Sequence, residues 1–143
     1  MKTFVVDASV GAKWASPEIV ERLSDRADRF LRAYVEGSLQ IMVPDLFWIE
    51  IGSFLWKTAK RGQITTALAR LALEAMLRRD FPTVPSRSIL PDALRIASDF
   101  DRTIYDSTYV ALAVATGNEL ITADERLVNA LGGHFPVRWL GVF

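Results

Sequence analysis

No cysteine occurs in the 143 residues. That excludes disulfides, thiolate metal sites and a cysteine nucleophile, and it is compatible with a reducing, cytoplasmic location. Histidine is nearly absent. The single copy, His134, follows two glycines and reads as a loop residue, not a ligand. Charge of one sign is missing as well. The 17 basic and 17 acidic residues cancel, so nothing pulls the whole chain toward nucleic acid, and any such binding must come from a local patch. No apolar run is long enough to cross a membrane, and the amino terminus lacks the basic-then-apolar pattern of a signal peptide. Repeats, low-complexity tracts and linkers are also missing. What is present is a chain that is 50% hydrophobic, enough for a real core. Its length lies near the roughly 150 residues typical of one domain, so residues 1–143 are expected to form a single domain.

Phe4-Val5-Val6 is an apolar, β-prone run, short enough to be a buried strand. Residues after Asp7 turn helical. Ser16 and Pro17 read as N-cap and N1 of a helix that carries Leu23, Ala27, Phe30 and Tyr34 and stops at Gly37. Ile41-Met42-Val43 reads as a second strand. Helices are expected from about Leu46 to Arg61 and from Thr66 to Arg79. Thr83-Val84, between Pro82 and Pro85, can only be an edge strand. Pro91 opens another helix, and one more runs from Thr103 to Thr116, closed by Gly117. Leu120-Ile121-Thr122 is a strand, Glu125 to Leu131 a short helix, and Val137 to Leu140 the last strand. Strands alternating with helices imply an α/β fold, with a mostly parallel sheet covered on both faces.

Four carboxylates stand out. Asp7 ends the first apolar strand, at the carboxyl end where open α/β sheets place their ligands. It could equally cap the following helix. Glu50 lies in a helix ringed by Phe47, Trp48, Ile51, Phe54, Leu55 and Trp56. It shares one narrow stripe with Ser53 and Lys57. A Glu there needs an ion-pair partner or a metal. Asp106 fits a capping box with Thr103. Even so, the small apolar turns that follow it suggest a helix packed tightly on the sheet, with Asp106 at its open end. Leu120-Ile121-Thr122-Ala123-Asp124 repeats the opening pattern of a strand that ends in an acid, and Asp124 too could be a helix cap. Four acids at one sheet edge repel one another and lose solvation. A divalent cation resolves both costs. All-oxygen ligands select Mg²⁺ or Mn²⁺, ions suited to phosphoryl chemistry.

This set, in this order, resembles the PIN-domain ribonucleases, in particular VapC-like toxins of prokaryotic toxin–antitoxin pairs. The matching stretches are Val6 to Val10 with Lys13-Trp14, Pro44 through Glu50, Tyr105 through Ala113, and Leu120 through Leu127. The resemblance implies a three-layer α/β/α fold with a five-stranded parallel sheet. It implies Asp7, Glu50, Asp106 and Asp124 as the acidic, metal-binding catalytic site, with Ser9 and Thr122 as hydrogen-bonding support. It also implies Mg²⁺- or Mn²⁺-dependent hydrolysis of an RNA phosphodiester to a 5′-phosphate and a 3′-hydroxyl. The partners it implies are an RNA substrate and a cognate antitoxin.

Lys13, Lys57, Lys60, Arg61 and Arg102 lie near the motif stretches and are candidate phosphate contacts, each of which could also be a plain solvated charge. Asp99 and Asp101 match no motif and read as surface or turn residues. A haloacid-dehalogenase-like phosphatase would need a second Asp two residues after the first, where this chain has Ser9. A receiver domain would need paired acids near the first strand, which are not visible. A non-catalytic PIN-like module would be expected to have lost an acid, and none is lost. Aromatic residues pointing several ways from the Leu46–Lys57 helix suggest an interface there, with a second copy in a homodimer or with the antitoxin.

Overall fold

The computed structural model describes residues 1–143. Five strands form one sheet: β1 (Lys2–Val6), β2 (Leu39–Pro44), β3 (Thr83–Val84), β4 (Glu119–Thr122) and β5 (Val137–Trp139). Their order is β3-β2-β1-β4-β5, and every pairing is parallel. Seven helices connect them: α1 (Ala8–Ala15), α2 (Ser24–Val35), α3 (Leu46–Lys60), α4 (Thr66–Leu77), α5 (Leu90–Phe100), α6 (Ile104–Thr116) and α7 (Glu125–Leu131). Right-handed crossovers place α1 to α4 on one face and α5 to α7 on the other, as in the expected three-layer α/β/α arrangement.

β1 is central because Phe4, Val5 and Val6 are apolar toward both layers, and all three are buried. The chain steps from β1 to β2 on one side and later returns to the other side of β1 as β4. That reversal makes the β1–β4 boundary the topological switch point of the sheet. Beyond the paired strands, the Asp7 amide still donates to the Ile121 carbonyl at 3.0 Å. Asp7 and Thr122 therefore leave the sheet side by side. As its flanking prolines require, β3 lies at an edge. Gly117, at φ +69°, stops α6 in the left-handed conformation that glycine adopts freely.

One expectation fails. No helix begins at Pro17. Helix α1 starts directly after Asp7, and Ser16 is its C-cap. Pro17, which has no amide hydrogen, follows as a stop instead of a start. Turns then lead to Leu23, which takes a left-handed φ of 70°, before α2 begins at Ser24. The short α1 is held because it buries Val10 and Trp14, and the Trp14 indole donates to the Ala27 carbonyl of α2 at 2.8 Å.

The aromatic ring around α3 also resolves into separate roles. Phe47 is fully buried. Trp48 stacks on Phe81 with ring centroids 5.9 Å apart, and its indole donates to Thr83 Oγ1 at 3.0 Å. Only Trp56, together with Ile49, is largely exposed. α1 and α3 approach closely at Gly11. A Cβ there would stand 2.6 Å from two Phe47 ring atoms and 3.0 Å from Ile51 Cδ1. Both neighbours are fully buried and cannot yield. Gly11→Ala is therefore expected to cost about 1–3 kcal/mol by overpacking. Thermal melts should show a Tm lower by about 3–10 °C, and trimming the facing ring with Phe47→Leu should recover part of that loss.

Candidate active site

The site is built on Asp7. Its carboxylate is 7% exposed, and Oδ2 accepts from Thr122 Oγ1 at 2.7 Å and from Ser9 Oγ at 2.8 Å. Those hydroxyls are fixed in turn. The Ala123 amide donates to Ser9 Oγ, and the Asp124 amide donates to Thr122 Oγ1, each at 3.0 Å. Ser9 and Thr122, the two residues expected as support, thus both reach one oxygen of Asp7. Asp7 occupies the N-cap position of α1 but makes no side-chain cap bond, so capping does not explain it.

Glu50 lies in the second turn of α3, on the stripe shared with Ser53 and Lys57. These three line a cleft of about 270 Å³ together with Ala8, Ser9, Ala12 and Phe54. Its partner is not the Lys or Arg that the helix pattern suggested. The Tyr109 hydroxyl donates to Glu50 Oε1 at 2.7 Å. Tyr109 is buried at 1% exposure and lies on α6, across the site. The signal that could have revealed it is modest: a hydroxyl-bearing ring three residues after Asp106, in an otherwise small and apolar helix, must find a polar partner.

Asp106 opens α6. Thr103 Oγ1 accepts from the Asp106 amide at 3.1 Å, so half of the capping box forms. The Asp106 carboxylate is not used for capping. Its Oδ2 instead meets Arg102 Nη2 at 3.4 Å. Asp124 does act as a cap, with Oδ1 accepting from the Arg126 amide at 3.0 Å. A pattern runs through all four acids. Each has one carboxylate oxygen tied to a protein donor: Asp7 Oδ2, Glu50 Oε1, Asp106 Oδ2 and Asp124 Oδ1. The other oxygen of each has no protein donor.

Burial raises the pKa of Asp7, and the Thr122 and Ser9 hydroxyls only partly offset it. Glu50 and Asp106 are raised too, first by desolvation. Repulsion from Asp7 and Asp106 adds to the effect at Glu50, and repulsion from Asp124 adds to it at Asp106. Asp7, Glu50 and Asp106 thus each feel a neighbouring carboxylate, and Asp124 acts on Asp106. The four acids are not a finished cage, since no three of their carboxylates converge closely enough to hold a metal ion as they stand.

A model of the PIN domain matches residues 4–131. The chain belongs to the PIN-domain family. Among relatives of this PIN domain is Ribonuclease VapC3 of Pyrobaculum aerophilum, 35% identical over 128 residues, which cover 87% of this chain and 92% of the relative. The crystal structure of PAE2754 from Pyrobaculum aerophilum superposes with a TM-score of 0.68 at 25% identity, over 99% of this chain and 85% of that one. A chain of the toxin–antitoxin complex from Klebsiella pneumoniae shares the fold, with a TM-score of 0.60 and 18% identity over 94% of both chains. No helix of this PIN domain is long and apolar enough to cross a membrane.

The basic candidates divide. Lys13 pairs with Glu21 at 2.8 Å, Lys60 lies over the Trp56 ring at 4.9 Å, and Arg102 meets Asp106. Lys57 and Arg61 have no acidic partner. Asp99 is an exposed surface residue of α5 and Asp101 is its left-handed C-cap, in line with their reading as surface or turn residues. His134 is an exposed residue beside Phe100, with ring centroids 5.0 Å apart.

Asp7, Glu50 and Asp106 all hold protons more tightly folded than unfolded. Between their ordinary range and the raised values, the folded state binds more protons, so stability falls as pH rises through that window. The metal-free protein is expected to melt higher at mildly acidic pH than at neutral pH. Asp7→Asn should flatten this dependence and raise the neutral-pH Tm, since the variant removes the most buried charge but keeps the shape. Chelator-treated melts across pH check both. A residue acting only as a cap would leave both unchanged, because Asn caps about as well as Asp.

Proposed function

We propose that this PIN domain is a metal-dependent endoribonuclease, the cytoplasmic toxin of a toxin–antitoxin pair, with Asp7, Glu50, Asp106 and Asp124 as its catalytic metal ligands. One observation supports the reading: Asp7, Glu50, Asp106 and Asp124 come from four separate elements near the switch point of the sheet and are coupled by mutual repulsion without converging into a cage, each with one oxygen held by a donor and the other open. A set of open, all-oxygen donors fits Mg²⁺ or Mn²⁺ and not a soft metal. Neutralising cations would also relieve the raised pKa values, and they would have to draw the acids inward. When bound, such an ion supplies charge neutralisation at the scissile phosphate and a more acidic water.

The chain's own residues do the rest. Ser9 and Thr122 orient Asp7, so that its second oxygen faces the same use each time without rotamer search. Tyr109 does the same for Glu50. Arg102 tempers Asp106 and keeps it from full repulsion by Asp124. Water adds to phosphorus, the bond to the 3′ oxygen breaks, and that oxygen takes up a proton. The products are a 5′-phosphate and a 3′-hydroxyl.

The 35% identity to a ribonuclease over most of both chains supports RNA as substrate. An antitoxin belongs to the same proposal. The fold is shared with a chain of a toxin–antitoxin complex, and exposed Ile49 and Trp56 on α3 offer apolar surface to the antitoxin or to a second copy in a homodimer. An Arg or Lys of the antitoxin, placed among the carboxylates, would silence the site by standing in for the metal's charge.

Cleavage of a labelled RNA with Mg²⁺ or Mn²⁺, abolished by chelator and restored by added metal, tests the reading. Asp7→Asn and Asp106→Asn should each lower the rate by roughly 10²–10⁴-fold, the several kcal/mol that metal-centred stabilisation supplies. Tyr109→Phe, which leaves Glu50 unoriented, should cost about 10–100-fold in rate or in Mn²⁺ affinity. Full cleavage in chelator would overturn the proposal.

A further inference from the structure

A second, smaller cavity opens beside the carboxylate cleft. It measures about 160 Å³ and is lined by Lys13, Ser16, Glu21, Thr58, Arg61 and Gln63, with Ala12 and Phe54 shared between it and the cleft. The two spaces therefore adjoin at Ala12 and Phe54, between α1 and α3. We propose that this cavity is a phosphate-binding subsite, which seats a flanking phosphodiester of the RNA strand while the scissile one lies at the carboxylates. The inference rests on the ribonuclease reading above and adds a second grip on the same substrate.

Three observations point to an anionic ligand. Ser16 is 1% exposed, and its hydroxyl has no partner at all. A buried hydroxyl left unpaired is costly, and a ligand oxygen would satisfy it. The Lys13 side chain is only 9% exposed, so its ammonium depends on an anion. The anion it has is Glu21, which is 54% exposed on the turn after α1. A phosphate oxygen taking that place would keep a charge-assisted bond at Lys13. Arg61 adds a guanidinium with no acidic partner of its own, suited to bidentate phosphate contact.

Size and polarity narrow the ligand further. The cavity is smaller than the roughly 300 Å³ at the low end for whole small molecules. It accepts a fragment of something larger that continues outside. Its lining is polar and carries more cation than acid, whereas the adjoining cleft sets Glu50 beside Lys57. A strand laid along the groove would thus meet opposite charge at its flanking phosphate and, with metal bound, at its scissile one. Lys57, unpaired at the cleft, lies on the same groove wall.

Steady-state cleavage of a short oligoribonucleotide, followed across salt concentrations, tests this. Arg61→Gln, an exposed turn position that should fold normally, and Ser16→Ala are compared with the unsubstituted chain. Lys13→Met is a third variant, with a thermal melt to confirm folding. Arg61→Gln is expected to raise KM roughly tenfold for the loss of one charge-assisted contact, with kcat nearly unchanged. The log–log salt dependence of kcat/KM should become shallower by about 0.7, the value for one single-strand phosphate. A neutral methylphosphonate, moved linkage by linkage, should reproduce the KM rise at one flanking position and add nothing there in Arg61→Gln. An active unsubstituted chain with unchanged KM and salt slope in all three variants would overturn the subsite alone. So would a methylphosphonate effect equal in parent and variant at every linkage, or weakened antitoxin binding with RNA kinetics intact. Failure of the unsubstituted chain to cleave any RNA would remove the ribonuclease reading and the subsite with it.

Discussion

A carboxylate nine-tenths buried at the end of a central strand must be protonated or compensated, because ionised oxygen loses its water there. No side-chain cation stands against Asp7. Two hydroxyls do, and supplying them dictates much of the surrounding architecture. Thr122 reaches Asp7 only because β4 pairs with β1 in the register Val6 to Ile121. Ser9 reaches it only because α1 starts without a linker. Even so, desolvation outweighs both hydrogen bonds, and the site retains an unmet demand for positive charge. Glu50 and Asp106 enlarge that demand. The protein carries the instability locally and offsets it with a single apolar cluster of 30 buried residues that continues directly beneath the acids.

Much of this was legible from residue order alone. An apolar run ended by an acid occurs twice, at Val6-Asp7 and at Thr122-Ala123-Asp124, and parallel strands put both acids at one edge. The prolines around Thr83-Val84 confined that strand to the edge, where it lies. The Glu50-Ser53-Lys57 stripe, read from helical spacing, faces a single cleft. Local patterns failed where two devices share one signature. Ser-Pro both starts and stops helices, and around Ser16 only the packing of Trp14 against α2 decides between them. Pairwise contacts between distant elements left no local trace, so the Tyr109 hydroxyl on Glu50 was not foreseen. The aromatic belt of α3 read as more exposed than it is, because the sequence does not show that Phe81 waits to stack on Trp48.

The capping alternatives for the acids were not simply wrong. Asp124 caps α7 with one oxygen and leaves the other open, and Thr103 caps α6 so that Asp106 is spared the task. Structural and chemical roles are thus divided between the atoms of one side chain or between neighbours. This division lets a small sheet edge hold four acids without a separate scaffold for each.

Gly11 ties these features together in a way that bears on how such a protein can change. The helices it brings together carry Ser9 and Lys13 on one side and Glu50 and Lys57 on the other. The clearance between them is set where a hydrogen atom meets a phenyl ring, below the resolution at which side-chain exchange can adjust it. Retargeting toward a different strand cannot proceed by respacing this pair gradually, since the smallest available step is a whole methyl group. Diversification is therefore channelled outward, to the turn from Pro17 to Leu23 and the end of α3 near Arg61, which can be rewritten while the aperture stays constant.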